Sequence, residues 1–397
     1  MKKIFKFFFY LPFLPLIFVL RILKHFFKLN YVEIDTSRLG HTSQIVEGFL
    51  CYNKQFYKNK KSFIFLFSNF TANRQINNLI ERKLKVYKSN IFLNFLKKST
   101  IYWNQNDLFY DISYYSLQNI FNKPNNIIKK KYDGPRLVFT KSEIEKGQSM
   151  LKEFGINPGD KWCCVHNRDS LYLKKQFPTK NFDYHNYRDF SVEDLKPAAK
   201  FFSQRGYFVF RVGKFQKEKF ITNDSKIIDY SFSEQRNDFL DIYLLAFSEF
   251  YLGSSSGPMN VSFGFNRPSY GVNYSLPYFA RSHIPYMFIF KRIQNNRTGK
   301  LLSLREILQS NFCDKIQNNL LLKYNHSEIN NTPEDILEFS EDILREINSE
   351  KILKKEDTEI QKSFWEMYNR YSDNPDLNLQ NLIINPSFLK KNIDLLN

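Results

Sequence analysis

A histidine, an arginine and an aspartate stand within four residues, at His166, Arg168 and Asp169, directly after the apolar run "KWCCV" (161–165). A guanidinium is a planar, permanently charged fork that matches phosphate oxygens. An imidazole can take or give a proton near neutral pH. Arg168 could therefore hold a phosphate, or simply pair with Asp169 at the surface. His166 could act as a general base or could orient a neighbour. A second group is "YLGSSSGPMN" (251–260). Here Gly253, Ser254, Ser255, Ser256 and Gly257 join a strand-like run to a helix start. Backbone N–H groups at such a junction favour an anion, although an ordinary strand-to-helix turn has the same composition. The stretch lacks both the Walker lysine and the GxGxxG spacing, which argues against a P-loop or an NAD-type site.

Further candidates lie at other predicted strand ends. Arg211 and Lys214 close "RVGK" (211–214), and Asn273 ends "RPSYGVN" (267–273). Arg188 sits in "FDYHNYRDF" (182–190), where Tyr184, His185 and Tyr187 could stack on a base or sugar, or could pack. Asp238 and Asp241 lie on the next predicted helix. Asp238 could cap that helix or contact a ribose or sugar hydroxyl. In the first part of the chain, "RLGH" (38–41) offers Gly40 for a tight turn and His41 as a helix start. His41 could face a cleft, or could be a satisfied helix-start residue. There is no HExxH, no DxD and no clustered ligand set, so no metal is expected. Cys51, Cys163, Cys164 and Cys313 have neither disulfide-framework nor metal-site spacing, and fit a reducing compartment.

Strands and helices must alternate to bring these residues together. "YVEID" (31–35) and "SFIFLFS" (62–68) read as strands, flanking a helix over "TSQIVEGFLCY". "RLVFT" (136–140) reads as a short strand or a crossing segment. A helix then runs to Gly155. From there "KWCCVH", "YFVFRVG", "KIIDY", "EFYLG" and "RPSYGVN" read as strands, with helices between them. Ser191–Asp194 resembles a capping box, Gly206 suits a helix C′ position, and Thr332-Pro333 opens a late helix with Asp335 at N3. Two such sets imply two doubly wound parallel sheets. Ligands bind beyond the carboxyl ends of strands in such sheets. The expected division is 1–29, 30–140, 141–345 and 346–397, the last being helices packing back on the first domain.

The chain has 397 residues and a formal net charge of +18, which points to an anionic partner. No zinc-finger spacing, RNP-like run or Arg-rich arm speaks for nucleic acid. The first 29 residues are apolar and flanked by Lys2, Lys3, Lys6, Arg21, Lys24 and Lys28. Pro12 and Pro15 interrupt the apolar run, and no small-residue cleavage site follows it. The reading is an interfacial helix on an anionic, cytoplasmic membrane face, with a spanning anchor or a buried first helix as alternatives.

Taken in order, "RLVFT", "EIEKG", "VHNRDSLYL", "YHNYRDF", "FRVGK", "DFLDIYL" and "LGSSSG" resemble a bacterial family of glycosyltransferases from surface-polysaccharide gene clusters. The likeness covers roughly residues 135–275, with a weaker match at "SRLGH". "HNRD" and "LGSSSG" also resemble two motifs of the fucosyltransferase-type fold. The resemblance implies a GT-B-type architecture: two Rossmann-like domains facing a cleft, preceded by the membrane-associated helix. It implies hexosyl or deoxyhexosyl transfer from a nucleotide-sugar donor, needing no cofactor, to a saccharide or lipid-linked acceptor. It gives His166 and Arg168 the donor diphosphate and Ser254–Gly257 the nucleotide phosphates, with Arg188 or Arg211 assisting. His41 or His166 would be the base. The Asn-rich segments 100–134 and 311–331 have no counterpart. The competing readings are a nucleotide-sugar epimerase, a non-catalytic membrane-associated assembly protein, and a peripheral phospholipid-binding protein.

Overall fold

A computed structural model describes residues 2–27, 29–56, 62–68, 70–88, 91–109, 112, 134–275, 286–310, 318–348, 355–371 and 382–396. Cys313 and most of the Asn-rich 100–134 and 311–331 segments lie outside these. The chain divides into two compact units at Phe139/Thr140.

Unit 1 is built on a parallel sheet in the order β1 (Leu29–Ile34), β2 (Ser62–Phe67), β3 (Val86–Tyr87). The helix Leu39–Phe56 connects the first two strands. It begins earlier than the sequence suggests, so Gly40 and His41 lie in its first turn rather than in a loop. Asn73 caps the helix Arg74–Glu81, its side chain accepting from the Ile76 N–H at 3.1 Å. "RLVFT" forms no strand. The Arg136 and Leu137 N–H groups instead donate to the buried Glu47 carboxylate, at 2.6 and 2.9 Å. Burial pushes that carboxyl above its usual range despite these bonds.

The N-terminal residues are part of this unit. Helices Lys2–Tyr10 and Phe13–Phe26 meet at a 50° bend. Ile17 is buried with Tyr31, Leu96 and Leu108, and Phe13, Leu16 and Leu20 pack around them. Arg21 pairs with Asp107, and Lys24 donates to the Asp107 carbonyl. No single helix among the described residues is long and apolar enough to cross a membrane.

Unit 2 holds a seven-stranded sheet, order β12-β9-β8-β7-β4-β5-β6, with every pairing parallel. Its strands are β4 (Trp162–His166), β5 (Phe208–Arg211), β6 (Ile227–Ile228), β7 (Phe250–Gly253), β8 (Ser269–Tyr274), β9 (Met287–Phe290) and β12 (Ile383–Ile384). A separate antiparallel pair, β10 (Arg292–Asn295) with β11 (His326–Ile329), stands apart from it. The central strands are apolar on both faces, as a sheet covered on both sides requires. From β4 the chain winds out through β5 and β6, then returns to lay β7 against the other side of β4. This is the doubly wound order 3-2-1-4-5-6, and its reversal point lies between β4 and β7.

The described residues of 346–397, expected on the first domain, are built into this unit. β12 extends the sheet beside β9. Gln361, on helix Lys355–Tyr371, exchanges hydrogen bonds with the Ile384 backbone at 2.6 and 3.2 Å. Phe364 and Phe388 pack on Phe290, and Asn385 donates to the buried Asp342 at 2.7 Å. The reason is the amphipathic face of the helix Pro333–Ile347, which needs this cover.

Candidate functional site

The reversal point is where an open parallel sheet leaves a crevice, because the flanking connections depart to opposite faces. His166 ends β4 and is in register with Gly253, which ends β7. The two backbones come unusually close. A Cβ at Gly253 would stand 2.2 Å from the His166 carbonyl oxygen, so only glycine fits. Above this contact the Ser254 N–H donates to the same carbonyl at 3.2 Å. The Arg168 N–H in turn donates to the Ser254 hydroxyl at 3.0 Å. "HNRD" and "LGSSSG" therefore form one interlocked rim.

Past Ser254 the chain enters the helix Gly257–Gly264. Its N-cap residue, Ser256, makes no side-chain cap, and its hydroxyl lies 3.1 Å from the Tyr251 hydroxyl instead. Pro258 carries no N–H. The helix start so keeps its positive end uncovered by a serine side chain.

Arg168 is 7% exposed. Its Nη1 pairs with Asp189. Its Nη2 is buried without a hydrogen-bond partner among the described residues. A buried unpaired guanidinium N–H is costly, and costs less once an anion arrives. Asp189 lies at the end of the crossing segment 182–190. Burial raises its carboxyl above the usual range, against the pull of Arg168. Asp169, the sequence candidate for pairing with Arg168, has another task. It accepts from the Leu171 and Lys217 N–H groups, both at 2.8 Å, and ties the loops after β4 and β5 together.

His166 is buried. Its Nδ1 lies 2.8 Å from the Val212 carbonyl, which can only accept, so the proton sits on Nδ1 and Nε2 is the acceptor. Burial pushes its pKa down to about 4, with the neighbouring Arg211 and Arg168 acting in the same direction. The imidazole is neutral at pH 7.

Arg211 is placed differently from the expectation of a phosphate contact. It is 0% exposed. Its Nε and Nη2 donate to the Asn167 Oδ1 at 3.2 and 3.1 Å, its Nη1 to Asp229 at 3.1 Å, and its Nη2 also to Gln216 at 3.0 Å. The Asn167 amide nitrogen then donates to the Phe190 carbonyl at 3.1 Å. Arg211 thus braces the rim from below.

The crossing segment lies over the strand ends. Arg188 Nη1 donates to the Ser255 carbonyl at 3.5 Å. Lys291, just beyond β9, donates to the Tyr187 and Asp189 carbonyls. Tyr187 is buried with Ile293, Ile307 and Leu321, so its ring packs rather than stacks on a ligand. Tyr184 is exposed, with the half-buried His185 ring 4.0 Å away. Lys291 and the buried Glu328 were missed by sequence reasoning. They stand 3.7 Å apart, and burial lowers the pKa of one and raises that of the other. Their signal is absent from the sequence because Glu328 comes from β11, far along the chain from Lys291.

Lys214 and Asp238 face each other at 3.8 Å, both half-buried. Asn237, not Asp238, caps the helix Asp238–Phe247, accepting from the Leu240 N–H at 3.0 Å. Asp241 pairs with Arg236 at 3.0 Å, and burial pushes it up to about 6. Asn273 has positive φ; its backbone N–H donates to the Asn331 Oδ1 at 2.6 Å and its own Oδ1 accepts from the Asn331 N–H at 2.7 Å, which latches β8 to the start of the helix Pro333–Ile347. His41 is exposed in unit 1. Among the described residues no three His, Cys, Asp or Glu side chains gather as a metal site.

No protein-family model matches this chain, and no curated protein sequence does. Solved structures overlap it in part. The glycosyl transferase family 9 protein of Veillonella parvula covers 61% of this chain and 79% of its own, at 9% identity and a TM-score of 0.36. The E. coli ADP-heptose LPS heptosyltransferase II covers 61% and 84%, at 12% identity and a TM-score of 0.32. The E. coli heptosyltransferase WaaC with ADP covers 62% and 87%, at 9% identity and a TM-score of 0.30.

Proposed function

We propose that this protein is a glycosyltransferase that moves a hexosyl or deoxyhexosyl group from a nucleotide-sugar donor to a saccharide or lipid-linked acceptor in surface-polysaccharide synthesis. The observation that carries the reading is the buried, unpaired Nη2 of Arg168, whose backbone is tied to Ser254 just ahead of the uncapped helix start at Gly257, both following strands at the sheet's reversal point. A diphosphate satisfies both. As the glycosidic bond breaks, its electron pair moves to the leaving diphosphate oxygen. Arg168 and the Ser254–Gly257 loop stabilise that charge without a metal ion, with Arg188 beside them. The acceptor oxygen attacks the anomeric carbon and gives its proton to a base. His166 already donates from Nδ1 and has a low pKa, so it positions the rim better than it takes protons. His41 is the remaining sequence candidate for the base. Lys214 and Asp238 sit where a donor hydroxyl could be read. Residues 1–29 would hold the enzyme on the cytoplasmic face of the inner membrane, near a lipid-linked acceptor.

The test is a thermal-shift panel on the full chain, with GDP, UDP, CDP and CMP against ATP and NAD. Selective stabilisation by one nucleoside diphosphate is expected. The absence of any shift would sink the transferase reading in favour of a non-catalytic assembly protein.

A further inference from the structure

We infer that unit 1 carries a three-helix apolar platform that docks on an anionic lipid bilayer, and that the helix Ile91–Tyr102 is part of its contact surface. The inference rests on the membrane reading of residues 1–29 and extends it to a segment that reading never touched.

Up to Arg21 the helix Phe13–Phe26 is apolar on every side, and its two sides have opposite fates. Phe13, Leu16, Ile17 and Leu20 pack on the core of unit 1. Leu14, Phe18, Val19, Ile22 and Phe26 follow at helical spacing on the other side and are exposed, Phe18 by 65%. A helix that is apolar on both sides belongs in a core or against lipid. The helix does not span by itself: its 14 residues run only about 21 Å against a hydrocarbon core of about 30 Å, and one of its sides is already taken by the core of unit 1. Lying in the interface suits it.

The neighbouring helix continues the same surface. Phe92 packs on Phe13, Phe95 on Phe9, and Tyr102 on Tyr10. Yet Ile91 is 75% and Ile101 59% exposed, and Phe92 is exposed beside them. The exposed Phe5 and Phe8 come from the first helix. Such an aggregate of large apolar side chains marks an interaction site. Its charge selects the occupant. The three helices contain Lys2, Lys3, Lys6, Arg21, Lys24, Lys97 and Lys98 and not one carboxylate; Arg21 and Lys97 already pair with Asp107 and Glu33, so Lys2, Lys3, Lys6, Lys24 and Lys98 set the charge of the surface. Cations around an apolar surface fit acidic headgroups around acyl chains, and they disfavour a second copy of the same surface.

The experiment is flotation of the full chain with phosphatidylcholine vesicles, with and without phosphatidylglycerol, comparing wild type with Ile91→Glu/Phe92→Glu. Wild type should float with the anionic vesicles, and the variant's partitioning should fall at least ~10-fold, since two large apolar groups leave the bilayer. Wild-type flotation with an unchanged variant would overturn the role of this helix while sparing that of residues 1–29. Failure of wild type to float, or equal flotation without phosphatidylglycerol, would overturn the platform itself, as would a lipid-free dimer that hides residue 91. If the variant melts early, an environment-sensitive label at Ile91→Cys in a Cys313→Ser background decides instead, because Cys51, Cys163 and Cys164 are buried. A blue shift on adding anionic vesicles is expected, and its absence refutes the contact.

Discussion

Replacing Arg168 separates what the rim needs for folding from what it needs for binding. The Arg168–Asp189 pair is nearly buried, with side chains 9% and 21% exposed. Arg168→Ala leaves the Asp189 carboxylate in a poor dielectric without its counter-charge. Breaking such a pair from one side costs about 3–5 kcal/mol. At about 2–4 °C per kcal/mol for a unit of this size, the apparent Tm should fall by roughly 6–20 °C. The sign of the pH dependence follows. Asp189 already titrates above its usual range because of burial. Without Arg168 its folded pKa rises further, so protonation relieves more of the damage. The variant's deficit should therefore shrink as pH falls from 8 to 5. Arg168→Met/Asp189→Leu removes both charges and keeps volume, and should return stability to within about 1 kcal/mol of wild type or above it. The Arg168 N–H bond to Ser254 is a backbone bond and survives in every variant. Urea denaturation followed by tryptophan emission reads the stabilities. Nucleotide titration of the double variant reads the function. A nucleoside diphosphate at 100 times its Kd stabilises wild type by about 2.7 kcal/mol. The stable double variant should lose most of that gain. A double variant that is stable and still gains it in full would refute the assignment of the diphosphate to Arg168.

Gly253→Ala should cost about 3 kcal/mol or more, because a Cβ 2.2 Å from the His166 carbonyl forces β4 and β7 apart; a urea midpoint close to wild type would contradict the close approach. Asp241 is held at about 6 by burial against about 3.9 unfolded, so the folded state binds its proton more tightly and stability drops by about 2 kcal/mol as pH rises from 4 to 6. Asp241→Asn should flatten that part of the pH–stability curve, and an unchanged slope would assign it to another group. Deleting residues 2–28 removes Ile17, Phe13, Leu16 and Leu20 from around Tyr31, Leu96 and Leu108. At about 1.5–3 kcal/mol per buried side chain the truncated unit 1 should melt well before unit 2, giving two calorimetric transitions; a single wild-type-like transition would show that the segment is dispensable.

The strands of unit 2 from β4 to β8 were legible because each is a short apolar run that ends at a polar residue or a glycine: His166, Arg211, Asp229, Gly253 and Ser275. The cap at Thr332 was equally visible, because Asp335 three residues on completes it. β9 and β12 were not. "MFIF" resembles any short apolar run, and "II" at 383–384 is two residues whose strand identity comes only from pairing with β9. The fate of residues 346–397 was invisible for the same reason. Amphipathic helices announce that they need a partner, not which one. The site divides along this line. "HNRD" and "LGSSSG" could be read as strand-end groups, and the structure brings them into direct contact. The Asp189 pairing, and the Lys291 and Glu328 charges, depend on segments that cross the sheet edge from 20 or more residues away.

Arg168 and Arg211 show why strand-end arginines cannot be sorted by position alone. Both sit at the carboxyl edge of neighbouring parallel strands, and both looked equally suited to phosphate. Arg211 points into a ring of acceptors: the Asn167 amide oxygen from the end of β4, and Gln216 and Asp229, which follow it in the chain. With those satisfied it has no reason to meet a ligand, and burial alone would make its exposure to one costly. Arg168 finds one carboxylate for two Nη groups, so half of its fork is left over. A fully satisfied arginine stiffens a rim, and a half-satisfied one waits for an anion. The same Asn167 connects them: by holding its Oδ1, Arg211 fixes the loop from which Arg168 projects. A rigid support beside an unfinished ligand set is the arrangement that electrostatic stabilisation of a leaving group requires, since its dipoles must be in place before charge develops.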